Sequence, residues 1–173
     1  MADRKTLVRA IIFTVLAPGT FTVLVPLLIY APSPGMAARL GAWRNVGGLL
    51  IAAGVLGDLW AVGEFALRGA GTPALWFTKR LRFLVGEEPQ ALVQTSIYRH
   101  VRNPMYVSVG SVLLGEALLF ASPRLLAYAA VAWLFCHCAV VFLEEPHLRR
   151  TRGQSFEQYC REVPRWIPRF RGK

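Results

Sequence analysis

Four long apolar stretches limit what this chain can fold into: Leu7–Ala31, Val46–Leu67, Pro104–Ala121 and Leu125–Leu143. Each is close to the ~20 residues that a helix needs to cross ~30 Å of hydrocarbon. Hydrophobic residues make up 54% of the 173 and charged residues only 17%, with a mean hydropathy of +0.40. That is more apolar material than one soluble core consumes. The expectation is an all-α fold, an integral membrane bundle of four transmembrane helices in a single domain over residues 1–173. A cytoplasmic amphipathic segment and a C-terminal tail complete it. The first stretch follows Arg4, Lys5 and Arg9, as a signal peptide would. It is longer than a signal core and lacks a clear cleavage site, so it is expected to stay as a span, kinked at Pro18 and Pro26. No internal repeat or low-complexity tract interrupts the pattern.

Charge orients the bundle. Of 20 basic residues, 17 fall at the N-terminus, in the Arg68–Asn103 connection or in the tail, and only Arg39, Arg44 and Arg124 fall on the other side. The positive-inside rule then puts both termini and the long connection in the cytoplasm. The net charge of +10 is thus topological, with anionic headgroup contact as a by-product. Nucleic-acid binding is not expected, because a phosphate-binding patch needs a soluble face to present it. Cys136, Cys138 and Cys160 are too few and too badly placed for disulfides. Cys136, His137 and Cys138 are adjacent on a helix and diverge, so no metal site is expected.

The polar chemistry collects at one boundary. The stretch "SIYRHVRNPMY", Ser96–Tyr106, opens the third span, with Asn103 placed to cap it and Pro104 suited to its first turn. That span and the next, joined by a turn at Ser122–Arg124, are ~27 and ~28 Å long, so the return ends level with the start. There stands "EEPHL", Glu144–Leu148. Taken singly, these residues read as interfacial anchors, aromatic-belt residues and first-turn acids. Together, Tyr98, Arg99, His100, Arg102, Tyr106, Glu144 and Glu145 suit a zwitterion, with cations for a carboxylate and carboxylates for an ammonium or sulfonium.

"YRHVRNPMY", the apolar hairpin and "EEPHL" resemble the RHPxY, hydrophobic, EE pattern of the isoprenylcysteine carboxyl methyltransferase and phospholipid methyltransferase superfamily. The tail "FEQYCREVPRWIPR", Phe156–Arg169, is similar to that family's FGxxYxxY and VPRxxPR ending. The likeness covers about the last 80 residues, with three blocks in the right order. It implies an integral membrane methyltransferase that uses S-adenosylmethionine without a Rossmann domain, and no GxGxxG follows a predicted strand here. Tyr98, Arg102, Pro104 and Tyr106 fall on the family's YxxxRHPxY positions, and Glu144 and Glu145 on its EE. The resemblance implies a cofactor region over 95–106 and 144–169, formed by Tyr98, His100, Arg102, Asn103, Pro104, Tyr106, Glu144 and Glu145. Arg102 and Glu145 are the expected catalytic pair. Asn103 replaces the family's usual histidine, and Thr95 stands where glycine or histidine is frequent.

The implied activity is methyl transfer to a lipophilic, membrane-embedded acceptor at the cytoplasmic boundary. An isoprenylcysteine-like carboxylate and a phospholipid amine both join a polar head to a hydrocarbon tail and fit equally. The two glutamates sit about 100° apart on a helix, so they are expected to divide the work. Glu145 is assigned to the cofactor, and Glu144 to a structural pair with Arg102 or Arg165. "GTPALWFTKRLRFL", Gly71–Leu84, is expected to lie at the interface as a lid or lateral gate, and Val85–Ser96 to loop over the cofactor. Asp58, Glu64 and Glu116 are costly in a bilayer and should face protein or water. They could line an acceptor cavity, or in the alternative reading serve a small transporter or channel. Nothing in the sequence sets an oligomeric state.

Overall fold

The computed structural model describes residues 8, 11–12, 14–16, 18–67 and 94–169. The basic residues Arg4, Lys5 and Arg9, the stretch Gly71–Leu84 and most of Val85–Ser96 lie outside them. The described residues are mainly helical and contain no strand. Two helical runs, Pro34–Glu64 and Pro123–Arg152, are long and apolar enough to cross a membrane. Thr14–Ile29 and Pro104–Leu119 are shorter apolar helices.

Within the first, a π turn at Thr20–Leu24 leads into α1 (Val25–Ile29). The Val25 N–H reaches back to Thr20 O, so the disturbance expected near Pro26 takes the form of a π turn. The next run is built from α2 (Pro34–Leu40), a 3-10 turn at Gly41–Trp43 and α3 (Arg44–Leu67). It therefore begins well before the expected Val46. After the Arg68–Asn103 connection come α4 (Pro104–Leu119) and α5 (Pro123–Ala139). A second π turn, Val140–Glu144, carries α5 directly into α6 (Glu145–Arg152). The chain does not break at "EEPHL" as a span ending at Leu143 suggested: helical geometry continues through the π turn that immediately precedes Pro146. Gly153, at φ 54°, turns the chain into α7 (Gln154–Glu162); only glycine enters that backbone region without strain.

α3 and α4 pack with their backbones in contact. A Cβ on Gly115 would stand 2.6 Å from Gly47 O, and one on Gly54 would stand 2.6 Å from Ser108 O. Small residues at such a seam let helices approach where no hydrophobic force drives them together. Ser111 Oγ donates across it to Leu50 O at 2.9 Å. Arg44 Nε donates to Leu119 O at 2.9 Å, satisfying a carbonyl at the end of α4. At the opposite end Ala61 packs on Tyr98 and Val62 on Met105. α3 and α4 are therefore antiparallel.

The α4–α5 turn is fixed by Ser122, whose buried hydroxyl caps α5 at Leu125 N and donates to Ala31 O at 2.9 Å. Farther along, Tyr128 Oη donates to Phe21 O at 3.0 Å and the Phe21 and Phe135 rings stack at 6.5 Å. α1 thus runs antiparallel to α5. The outward faces stay apolar, with Leu49, Leu56 and Leu59 on α3 and Val131, Leu134 and Phe135 on α5 exposed. A soluble monomer rarely leaves such a surface uncovered.

Candidate active site

The α4–α5 hairpin returns to its own starting level, and its two ends meet through side chains. Tyr106 Oη donates to the Glu144 carboxylate, and Arg102 Nη1 donates to Glu145 Oε1 at 3.0 Å. The π turn adds a residue just before this point, so Glu144 faces α4 while Glu145 faces the segment that precedes it. That segment, a 3-10 turn at Ser96–Arg99, is moored to α3. Trp60 Nε1 donates to Ser96 Oγ at 2.8 Å, and Thr95 Oγ1 to Glu64 Oε2 at 3.4 Å.

The tail closes the other side. Phe156, Tyr159 and Val163 form a helical stripe packed against Leu148 and Cys160. Tyr159 Oη donates to Tyr98 O at 2.6 Å. Past Val163 the chain lies along residues 100–103: Arg102 N–H donates to Pro164 O at 2.9 Å, and Arg169 N–H to His100 O at 3.0 Å. His100 Nδ1 faces Arg169 O at 3.1 Å, and a carbonyl can only accept, so Nδ1 carries the proton. Nε2 is left to accept from Arg99 Nε at 3.2 Å. Trp166 rests 4.8 Å from the Trp133 ring and 5.7 Å from that of His137.

Glu145 is the hub. Besides Arg102, it accepts from Arg165 Nε at 2.6 Å and Arg165 Nη2 at 3.0 Å, with Arg149 at 3.9 Å. Burial pushes its carboxyl up, but the hydrogen bond from Arg165 and the charges of Arg102, Arg165 and Arg149 outweigh that and hold it below the usual 4.5. Arg102 also donates to Cys160 Sγ at 2.7 Å, and burial keeps that thiol protonated by raising its pKa. Among the described residues, Arg102 Nε and Trp166 Nε1 are buried donors without a hydrogen-bond partner.

Tyr98, Arg102, Tyr106, Glu144 and Glu145 are thus brought together, with Pro104 buried at the start of α4. Two expectations change. Asn103 occupies the N-cap position, but its side chain makes no capping bond; Nδ2 instead donates to Arg165 O at 3.2 Å, because the tail offers an unpaired carbonyl there. The structural pair with Arg102 and Arg165 belongs to Glu145 rather than Glu144, because the π turn points Glu144 at Tyr106. The expected site residues did not include Tyr159 and Cys160, which lie in the quoted tail motif and share the apolar 3-4 spacing of Phe156, Tyr159, Cys160 and Val163. His100 is committed to the tail and Arg99 through both ring nitrogens. Among the described residues, no group of three or more His, Cys, Asp or Glu could hold a metal.

A family model described as phospholipid methyltransferase matches residues 43–155. The nickel-cobalt-cadmium resistance protein NccN of Alcaligenes xylosoxydans xylosoxydans is 29% identical over 143 residues, covering 76% of this chain and 65% of that protein. The protein-S-isoprenylcysteine O-methyltransferase of Schizosaccharomyces pombe is 36% identical over 78 residues, covering 44% of this chain and 33% of that enzyme. The chain therefore spans less than two thirds of the length of either relative. No solved structure matches it. The matched region runs through α3, α4, α5 and the Tyr106–Glu144 and Arg102–Glu145 contacts, and the chain belongs to the phospholipid methyltransferase family.

Proposed function

We propose that the chain is an integral membrane methyltransferase that moves a methyl group from S-adenosylmethionine to a lipophilic acceptor at the cytoplasmic face of the bilayer. The acceptor is an isoprenylcysteine-like carboxylate or a phospholipid amine. The observation that carries this reading is the meeting of Arg102 and Tyr106 with Glu145 and Glu144 where the α4–α5 hairpin closes. Family membership supports it and favours an enzyme over a transporter built on Asp58, Glu64 and Glu116.

The residues fit the cofactor's chemistry. Among the described residues, Arg102 keeps a buried Nε donor without a partner, suited to a carboxylate, and Glu144 is a carboxylate that accepts from the Tyr106 phenol, suited to a further cationic or hydroxyl donor. When bound, S-adenosylmethionine supplies an electrophilic methyl on a sulfonium. In-line displacement at such a methyl depends mainly on alignment, so the protein's task is positioning. Glu145 holds the Arg102 guanidinium in one orientation. Tyr98 and Tyr106 wall the site and exclude water, which strengthens each charged contact. Asn103 and His100 act through the tail, whose backbone they hold. In this reading all four apolar helices span the membrane and both termini are cytoplasmic.

Calorimetry with S-adenosylhomocysteine tests the proposal. Binding in the micromolar range is expected, with about 2.7 kcal/mol of added stability at a hundredfold excess over Kd. Neither heat nor a shift in melting at saturating ligand would remove the basis of the reading.

A further inference from the structure

Among the described residues Ile167 is the most exposed large apolar side chain, at 80%, and it stands in the tail, outside all four apolar stretches. One exposed isoleucine has no meaning by itself, but its place gives it one. The preceding residue, Trp166, rests on α5, its ring 4.8 Å from that of Trp133 and 5.7 Å from that of His137. Those two residues lie ~15 and ~9 Å along the helix from Leu143, inside the apolar stretch that ends there. Leu126, Ala130, Trp133 and His137 follow one another at helical 4-3-4 spacing and form one stripe of α5. Leu126 and Ala130 are exposed, as are Val131, Leu134 and Phe135 beside them, so the stripe belongs to the outward apolar face. Trp166 covers the part of that face nearest the site, and Ile167 is left uncovered next to it.

The backbone suits such a place. Irregular backbone beside lipid needs its polar groups paired. Pro164 and Pro168 have no N–H, and Pro164 O and Arg165 O accept from Arg102 N–H and Asn103 Nδ2. Arg169 bonds His100 through both its N–H and its carbonyl, while its side chain stays exposed. We infer that residues 166–169 form a wedge in the lipid interface, with Ile167 among the acyl chains and Arg169 among the headgroup phosphates. The bilayer then presses the tail onto residues 100–103. Interfacial segments bury their apolar side chains about 5–10 Å into this boundary, which matches the ~9 Å depth of His137. The inference rests on α5 spanning the membrane. It makes lipid contact outside and order inside two faces of one strap, because Arg165 of the same turn holds Glu145.

The full chain in nanodiscs of phosphatidylcholine and phosphatidylglycerol tests this. A photoreactive p-benzoylphenylalanine replaces Ile167, Leu134 on the outward face of α5, or Arg161 on the exposed side of α7, and phospholipid adducts are read by intact mass after irradiation. Position 167 should form at least five times more adduct than position 161. Adduct at 134 with a lower yield than that at 167 overturns the wedge. No adduct at 134 means that α5 does not span the bilayer, and the premise fails instead. Ile167→Asp supplies a second measurement. In water, a substitution at so exposed a side chain would leave the hydrogen bonds of the fold as they are. Against acyl chains the carboxylate should lift the tail and speed hydrogen exchange at the amides of Arg102 and Arg169 about tenfold, with Ile167→Leu keeping the original rates. Equal exchange in Ile167→Asp and the unmutated protein would show that the bilayer does not hold the tail.

Discussion

Glu144 and Glu145 are neighbours with opposite surroundings: one meets a phenol, the other three guanidinium groups. Glu145→Gln leaves Arg102, 11% exposed, without its counter-charge, and breaking such a pair costs about 3 kcal/mol. Its melting temperature should fall, with a smaller loss of S-adenosylhomocysteine affinity through the released Arg102 guanidinium, and Glu144→Gln should mainly weaken binding. Equal losses in both assays would mean that the two carboxylates act as one cluster. The pH dependence follows from Glu145, which lies outside the apolar stretch ending at Leu143. A carboxyl held below its ordinary value stabilises the fold above about 4.5 and loses that contribution as pH falls through the lowered value. The melting difference between the unmutated protein and Glu145→Gln should therefore be flat near neutrality and shrink below pH 4.5. Asn103→Asp removes the donor to Arg165 O and sets a carboxylate against a carbonyl. Hydrogen exchange at the amides of Arg102 and Arg169 should accelerate, since both bond across the same junction. The ingredients of the site were legible because hairpin length alone brings Arg102 and Tyr106 to Glu144 and Glu145. Which glutamate takes which partner was not, because a π turn leaves no mark in the residue pattern.

At the scale of elements, apolar runs marked the helices well and their ends poorly. The run starting at Pro34 and the continuation past Leu143 depend on turns that keep helical geometry through Gly41–Trp43 and Val140–Glu144, where composition signals a stop. The α3–α4 seam was also unread, although Gly47 and Gly54 sit seven residues apart, on nearly the same face of a helix. Its energetics can be tested by sign. Alanine normally gains about 1 kcal/mol over glycine inside a helix. At Gly54 the added Cβ would meet Ser108 O at 2.6 Å and Val112 Cγ2 at 2.7 Å, whereas at Gly48 it meets nothing within 4 Å. Gly54→Ala should lower thermal stability by about 1–3 kcal/mol, the usual cost of overpacking, and Gly48→Ala should leave it unchanged or raise it. Similar melting temperatures for the two variants would show that the helices separate without cost.

For the whole molecule, charge and packing sort the helix ends in the same way. Basic residues gather in the segments that the positive-inside rule assigns to the cytoplasm. The contacts separately sort the helix ends into two sets. Ala31, Arg44, Leu119 and Ser122 meet at one end; Ala61, Tyr98, Arg102 and Glu145 gather at the other. The first set neighbours Arg39, Arg44 and Arg124, and the second neighbours the arginine-rich tail, so packing and charge agree on which ends belong together. All-α architecture was legible from composition because hydrocarbon forces backbone groups to pair within a segment. In the proposed reaction a soluble cofactor and a bilayer-borne acceptor can meet only near one boundary, and the Arg102–Glu145 end is where the polar groups stand. Arg124→Cys, exposed beside the α4–α5 turn, should therefore react with a membrane-impermeant maleimide in intact cells above the level of the native thiols. Arg161→Cys, exposed on α7, should react only after permeabilisation. The opposite pattern would put the site on the far side of the membrane from the cytoplasmic pool of cofactor, and the proposed chemistry would lose its supply.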